Sequence, residues 1–269
     1  MNLIDRLVTR AGRRLGLHVL THDQYKTLEE HKRTSKLLNR LTANQESSRF
    51  RTFACTRLVT SHSQSLQDLF ALFCHPDDPG FFVEFGAGDG KTISNTLLLE
   101  QNYGWSGVLC EPALVFRTSL ESSRGCSLDF RCVSAQSGKR VTFAENLNPD
   151  MSGIQESAGQ KYKKSHARTA KTYEVETISL LDLLTHHNAP RRINFLSIDT
   201  EGTEFDILYK FDFSSFAIDA LTVEHNFGRD RQATRDLLSS HGFVRVEEEL
   251  SEQDDWYVSA EIFETRWSS

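Results

Sequence analysis

Two stretches of this chain hold residue types whose spacing can do chemistry. The first is FVEFGAGDGKT, residues 82–92, where Glu84, Gly86, Ala87, Gly88, Asp89 and Gly90 close a short apolar run. The second is a pair of segments that end in acid. SIDTEGTE supplies Asp199, Glu201 and Glu204, and LTVEHN supplies Glu224, His225 and Asn226. Alternating glycines let a backbone turn tightly and approach a ligand closely. Carboxylates and a histidine at strand ends are the groups that take a proton from a hydroxyl or hold a divalent cation.

The glycine turn is neither of the common nucleotide motifs. A phosphate-binding P-loop ending in Gly90-Lys91-Thr92 needs glycine at 85, and Phe85 stands there. A dinucleotide turn starting at Gly86 and Gly88 needs glycine at 91, and Lys91 stands there. What remains is an acid followed by three alternating glycines. Glu84 lies inside an apolar strand, where an unpartnered carboxylate is costly, and a cationic ligand group would offset that cost. Glu111 ends the next apolar run, SGVLCEP, at the position of an acid that holds a ribose. An adenosine carrying an ammonium and a sulfonium answers both acids, which suggests S-adenosylmethionine. Asn95, shortly after the turn in a segment expected to be helical, is a candidate for the amino-acid end of that molecule.

Methyl transfer to a hydroxyl needs an oriented acceptor and a group that removes its proton. Asp199, Glu224 and His225 are the expected catalytic residues. The same three are the expected ligands should a divalent cation such as Mg2+ take part. In the alternative to a metal, His225 is the general base. Each has a plainer reading. Glu201 and Glu204 suit the first turn of a helix, where acids complement the dipole, and Asp199 suits its cap.

These residues need a scaffold, and the surrounding sequence describes one. Apolar runs at GFFVEFG, SGVLCEP, LDFRCVS, INFLSID and AIDALTVEHN alternate with helix-patterned segments, which predicts a parallel sheet covered by helices on both faces. FVRVEEEL and DDWYVSAEIF follow each other directly, which predicts a closing antiparallel hairpin. Residues 146–171 carry glycines, a proline and no apolar period. Lys161, Lys163, Lys164, Arg168 and Lys171 fall there, and the stretch reads as an irregular, lid-like insertion, with Ser152 a candidate substrate contact. His75, His186 and His187 read as structural.

At this level of detail the chain resembles the FkbM-type family of S-adenosylmethionine-dependent methyltransferases. FVEFGAGDGKTISNT, GVLCEP, SIDTEGTEFDIL and LTVEHN carry the resemblance, over roughly residues 65–262. The most specific piece is Asp199-Thr200-Glu201-Gly202-Thr203-Glu204, since the family carries a D-x-E-G-x-E signature after its fourth core strand. Many members have Asp where Glu84 stands and Asn where Gly88 stands. The resemblance implies a class I methyltransferase fold, a Rossmann-like, doubly wound, seven-stranded and mostly parallel sheet whose last strand is antiparallel. It also implies O-methylation of a sugar, a glycan or a complex natural product.

Composition sets the boundaries. The chain has 269 residues, 38% of them apolar and 25% charged, ordinary for one large globular domain with a full core. Net charge is −6, but residues 1–40 carry nine Lys/Arg against four Asp/Glu, a local +5, leaving −11 on the rest. An acidic body argues against nucleic-acid binding. Five scattered cysteines form no C-x-x-C pair and read as reduced thiols of a cytoplasmic protein. Residues 2–15 have the pattern of a basic amphipathic helix. The expected division is a helical arm over 1–50 and a methyltransferase domain over 51–269. Residues 1–40 are the candidates for peripheral contact with the inner membrane face or for self-association. Two other functions compete with methyl transfer. One is a non-catalytic scaffold built on the same fold, and the other is an NAD-type oxidoreductase, which the missing third glycine disfavours.

Overall fold

A computed structural model describes residues 22–43, 48–155 and 169–268. The chain divides into two units, Met1–Ser47 and Ser48–Ser269. In the first, the described part is one helix, His22–Thr42. The basic segment 2–15 and the four cations Lys161, Lys163, Lys164 and Arg168 lie outside the described residues. None of the described helices is long and apolar enough to cross a membrane.

The second unit is built on a seven-stranded sheet. Its strands are β1 (Phe81–Phe85), β2 (Ser106–Cys110), β3 (Ser127–Asp129), β8 (Arg192–Ile198), β9 (Ala217–Glu224), β10 (Phe243–Val246) and β11 (Asp254–Ser259). The order across the sheet is β10-β11-β9-β8-β1-β2-β3. Neighbours from β3 to β9 are parallel, and β11 runs antiparallel between β9 and β10. This is the seven-stranded, mostly parallel class I methyltransferase sheet with an antiparallel last strand that the resemblance implied. The strand order reverses beside β1, so a crevice opens at the carboxyl ends of β1 and β8, where ligands bind in sheets of this kind.

Strand periodicity explains the two layers. Alternate residues point to opposite faces. Phe195 and Trp256 face one layer, where Phe70 stacks on Trp256 at 4.8 Å and Phe50 meets it edge-on at 5.6 Å. Such aromatic pairs contribute about 1 kcal/mol each beyond area burial. Phe50 comes from the helix Arg49–Arg57, whose N-cap Ser48 accepts from the Arg51 amide at 3.0 Å. Leu196, Ile198 and Tyr257 face the other layer, packed with Leu183, Leu208 and Leu238 of the helices on that side.

Four elements differ from expectation. The helix after the glycine turn begins only at Leu97, so Lys91 to Thr96 form a loop. The buried Glu84 binds that loop and holds it out of helix, as described below. LDFRCVS is two strands, β3 and β4 (Cys132–Val133), interrupted where Arg131 turns back to pair with Asp129. The stretch around the expected lid contains a second sheet. β5 (Arg140–Asn146) and β7 (Thr169–Ile178) pair antiparallel, with β6 (Gly153–Ile154) on one side and β4 on the other. Its strands read as charged because apolar residues are sparse in them: Phe143, Ile154 and Val175 are buried against Ala113 and Cys132, with Val141 and Tyr173 partly buried beside them. The chain also ends in a helix, Ala260–Arg266, rather than in a strand.

Candidate active site

A cleft of about 1180 Å³, open mouth included, runs along the carboxyl ends of β1, β2, β8 and β9. Each predicted residue can be placed against it. Gly86, Ala87 and Gly88 line it, as do Glu84, Asn95, Glu111, Asp199 and Glu224. Asp89, Gly90 and His225 do not.

The glycine turn is held by β2, since the Gly86 and Ala87 amides donate to the Cys110 carbonyl at 3.0 and 3.4 Å. Gly86 has φ +68°, and a Cβ there would sit 2.1 Å from the Asp199 carbonyl oxygen. Only glycine lets the first turn and the end of β8 touch. Gly88 donates its amide to Glu111 Oε2 at 2.9 Å, and a Cβ on it would meet nothing nearer than Asp150 Oδ1 at 3.9 Å. Space over this turn is therefore open to a ligand. Asp89 is spent inside the loop, accepting from the Lys91 and Thr92 amides at 2.8 and 2.7 Å and from the Thr92 hydroxyl.

Glu84 is buried, and burial pushes its carboxyl up in spite of the nearby Arg124 guanidinium. The chain itself answers this acid. It accepts from the Asn95 amide at 3.0 Å and from the Thr96 and Ser94 hydroxyls. Arg124 in turn donates to Thr96 Oγ1 at 2.9 Å and to Ser94 Oγ and the Gly90 carbonyl at 3.2 Å. Glu84 therefore shapes the loop that walls the cleft. Asn95 stands at the surface of that wall. Its Nδ2 donates to Ser197 Oγ at 2.9 Å, while its buried Oδ1 has no donor.

Glu111 accepts one amide on each oxygen, from Gly88 on Oε2 and from Ala113 on Oε1 at 2.8 Å. Burial pushes its pKa up to about 7. Each oxygen keeps a second lone pair, the arrangement a vicinal diol would satisfy. Beyond it, Pro112, Phe116, Cys132, Val133, Phe143 and Ile154 form an apolar slot.

The acid cluster differs in membership from the expected set. Register places Ile198 opposite Val223, so Asp199 and Glu224 are the next residues along β8 and β9, and Glu224 pairs with Asp254 of β11. Oxygens of Asp199, Glu201 and Glu224 lie within 4.8 Å of one another. Burial, together with the neighbouring Glu224 carboxylate, raises the Asp199 pKa well above the usual range. Burial and the nearby Glu201 bring Glu224 up to about 8. Asp199 Oδ1 is buried with no donor from the chain. Asp254, raised by burial to about 6, lines the same end and takes a bond from Gln67 Nε2 at 2.7 Å.

His225 is not a member. Its Nδ1 accepts from the Phe227 amide at 2.9 Å, and its Nε2 faces the Asp254 carbonyl at 3.1 Å and Asp255 Oδ1 at 3.5 Å. Its side chain is 4% exposed, turned to the far side of β9 from the cleft. Glu201 takes its place, carried inward by a turn in which Glu201 and Gly202 have φ of +62° and +118°. Glu204 closes that turn, accepting from the Thr200 and Gly202 amides at 3.0 and 2.8 Å. Ser152 lines the cleft with its hydroxyl donated to the Pro149 carbonyl. A second group, Asp129, His186 and His187, is closed by Arg131, whose guanidinium forks onto both Asp129 oxygens at 3.0 and 2.6 Å.

A class I sheet, an acid at the end of β2 and a glycine turn at the end of β1 define a methyltransferase. The methyltransferase FkbM domain model matches residues 84–254, well over half of the chain, and the chain belongs to that family. Methyltransferases of this family use S-adenosylmethionine generally. No curated protein sequence matches the chain. Among solved structures, it is similar at 11% identity to methyltransferase FkbM from Methylobacillus flagellatus KT, over 96% of this chain and 71% of that one, TM-score 0.41. A precorrin-6y C5,15-methyltransferase from Geobacter metallireducens GS-15 is 11% identical over 72% and 86%, TM-score 0.37. The CurJ carbon methyltransferase is 11% identical over 90% and 72%, TM-score 0.34.

Proposed function

We propose that this protein transfers the methyl group of S-adenosylmethionine to a hydroxyl of a sugar, a glycan or a complex natural product. One observation carries the reading. The close approach of Gly86 to the Asp199 carbonyl brings the glycine turn and Glu111 into one cleft with the Asp199–Glu224 carboxyl pair, which supports a donor site beside a proton acceptor. The residues present fit the donor. Glu111 offers acceptors to a ribose diol, the slot from Pro112 to Ile154 takes a flat base, and the orphaned Asn95 Oδ1 takes an ammonium. Bound there, the donor supplies a methyl carbon already activated by its sulfonium.

The chain's own part is to orient the acceptor and receive its proton. At neutral pH the Asp199–Glu224 pair holds one proton, because two adjacent buried carboxylates cannot both ionise. The remaining carboxylate is the base for the acceptor hydroxyl. A second reading is favoured by the orphaned Asp199 Oδ1. Asp199, Glu201 and Glu224 form an oxygen set suited to a divalent cation such as Mg2+, with Glu201 in the place expected for His225.

Calorimetric titration of wild type and Glu111→Ala with S-adenosylmethionine, alongside NADH, tests the donor. Binding of S-adenosylmethionine alone, lost in the variant, is the expected result, and tight binding of NADH instead would overturn it. A turnover assay with hydroxylated glycans before and after exhaustive chelation separates the two proton-handling readings. A scaffold would bind partners without turnover and would be indifferent to Glu224→Gln.

A further inference from the structure

The inserted sheet meets the turn that follows Glu111 through polar side chains. After Glu111 the chain turns through Pro112 and Ala113 to the helical turn Leu114–Phe116. Three successive amides on this turn have side-chain acceptors. Ala113 N–H goes to Glu111 itself at 2.8 Å. Leu114 N–H goes to the Tyr173 hydroxyl at 2.9 Å, and Val115 N–H to Glu145 Oε2 at 3.4 Å. Tyr173 and Glu145 belong to β7 and β5 of the insertion. The Tyr173 hydroxyl donates in turn to Glu145 Oε2 at 2.9 Å, and Lys171 holds the other Glu145 oxygen at 3.0 Å. Glu145 is buried although it begins among polar residues of the strand. The insertion thus ends its apolar face in a polar latch on the backbone that aims Glu111.

We infer that Tyr173 and Glu145 are positioning residues for the adenosine end of the cofactor site, so that the inserted sheet sets the affinity for the methyl donor. The inference rests on the reading of the cleft as an S-adenosylmethionine site. Neither residue touches the reacting atoms. Their effect runs through the Glu111–Val115 turn, which carries the ribose acid at one end and the start of the apolar slot at the other. Packing alone does not need the hydroxyl, since the Tyr173 ring already lies 5.7 Å from the Phe143 ring. Leu114 is exposed, so water satisfies its amide once the hydroxyl is gone. Removing the hydroxyl therefore frees the turn, and the fold loses only the one hydrogen bond that Tyr173 donates to Glu145.

The test is Tyr173→Phe and Glu145→Gln in the full chain, titrated with S-adenosylmethionine and with S-adenosylhomocysteine. Tyr173→Phe is expected to weaken both ligands about five- to tenfold, as one oriented hydrogen bond allows. Its KM for the donor rises by the same factor, kcat at saturation stays within twofold, and the melting temperature falls by only a few degrees, as the loss of one buried hydrogen bond requires. Hydrogen exchange should speed up at Leu114 and Val115 and not in β1. Glu145→Gln, which keeps an acceptor for Val115, should lose less. Unchanged affinity in Tyr173→Phe while wild type binds normally would overturn the latch alone. A wild type that binds neither ligand overturns the donor reading, and the latch's purpose falls with it.

Discussion

Asp199 and Glu224, one residue past the last paired positions of two neighbouring parallel strands, bring carboxyl oxygens within 4.8 Å of each other inside the cleft. Both groups are acceptors when ionised, so a proton must sit between them or a cation must replace it. That necessity makes the pair the centre of the predictions.

Glu224→Gln and Asp199→Asn are each expected to lower kcat by at least about 100-fold, the usual worth of a positioned proton acceptor. Donor affinity should change by less than about threefold, since neither side chain reaches the ribose end. Single-turnover rates and donor titrations on the same samples check both parts.

The raised pKa of Glu224 predicts a pH dependence of stability. In the native state this carboxyl titrates at about 8, against an ordinary 4.5. Between those values the folded protein holds a proton that the unfolded chain has released. Stability is therefore fully present below pH about 4.5 and is lost as pH rises toward 8. Urea midpoints measured from pH 5 to 8 should fall for wild type and fall less for Glu224→Gln. A steeper decline in the variant would contradict the assignment.

His225→Gln should retain kcat within about threefold at saturating donor, because both ring nitrogens of His225 are engaged away from the cleft. It should cost about 1–2 kcal/mol of stability, the loss of a buried hydrogen bond. A collapse of kcat with normal donor binding would restore the histidine to the mechanism.

Gly86→Ala should damage both halves of the site. Its Cβ would stand 2.1 Å from the Asp199 carbonyl oxygen, and φ of +68° strains any side chain. A loss of at least about 2 kcal/mol is expected from the backbone conformation and the clash together. The surviving folded fraction should bind donor weakly and turn over poorly. Gly138, with a similar φ but nothing within 4 Å, should tolerate alanine at only the conformational cost.

Much of this was legible in the chain before any coordinates. The alternation of apolar runs with helical patterns produced the parallel sheet, because strand and helix periods are local properties of side-chain direction. Gly86, Gly88 and Glu111 fell where the glycine spacing and the strand end put them. The inserted sheet was hidden, because Val141 and Phe143 in one strand and Tyr173 and Val175 in the other are too few among charged neighbours to reveal a period. Asp254 was visible only as the first residue of a strand, since nothing in DDWYV says that the strand starts beside Glu224.

The residues Glu84, Glu201 and His225 mark the boundary between the two kinds of information. Sequence alone determined that acids and a histidine stand at strand ends around a tight turn, because periodicity and glycine chemistry act over a few residues. Tertiary structure decided which of them face the cleft. Arg124, 40 residues away in the chain, reaches Thr96 and Ser94, the hydroxyls that bind Glu84, and turns that acid to framework. The positive φ of Glu201 swings its carboxylate in, and the Phe227 amide pins His225 out. Backbone torsions beyond a strand's last hydrogen bond depend on what packs there, and that is settled by partners distant in sequence.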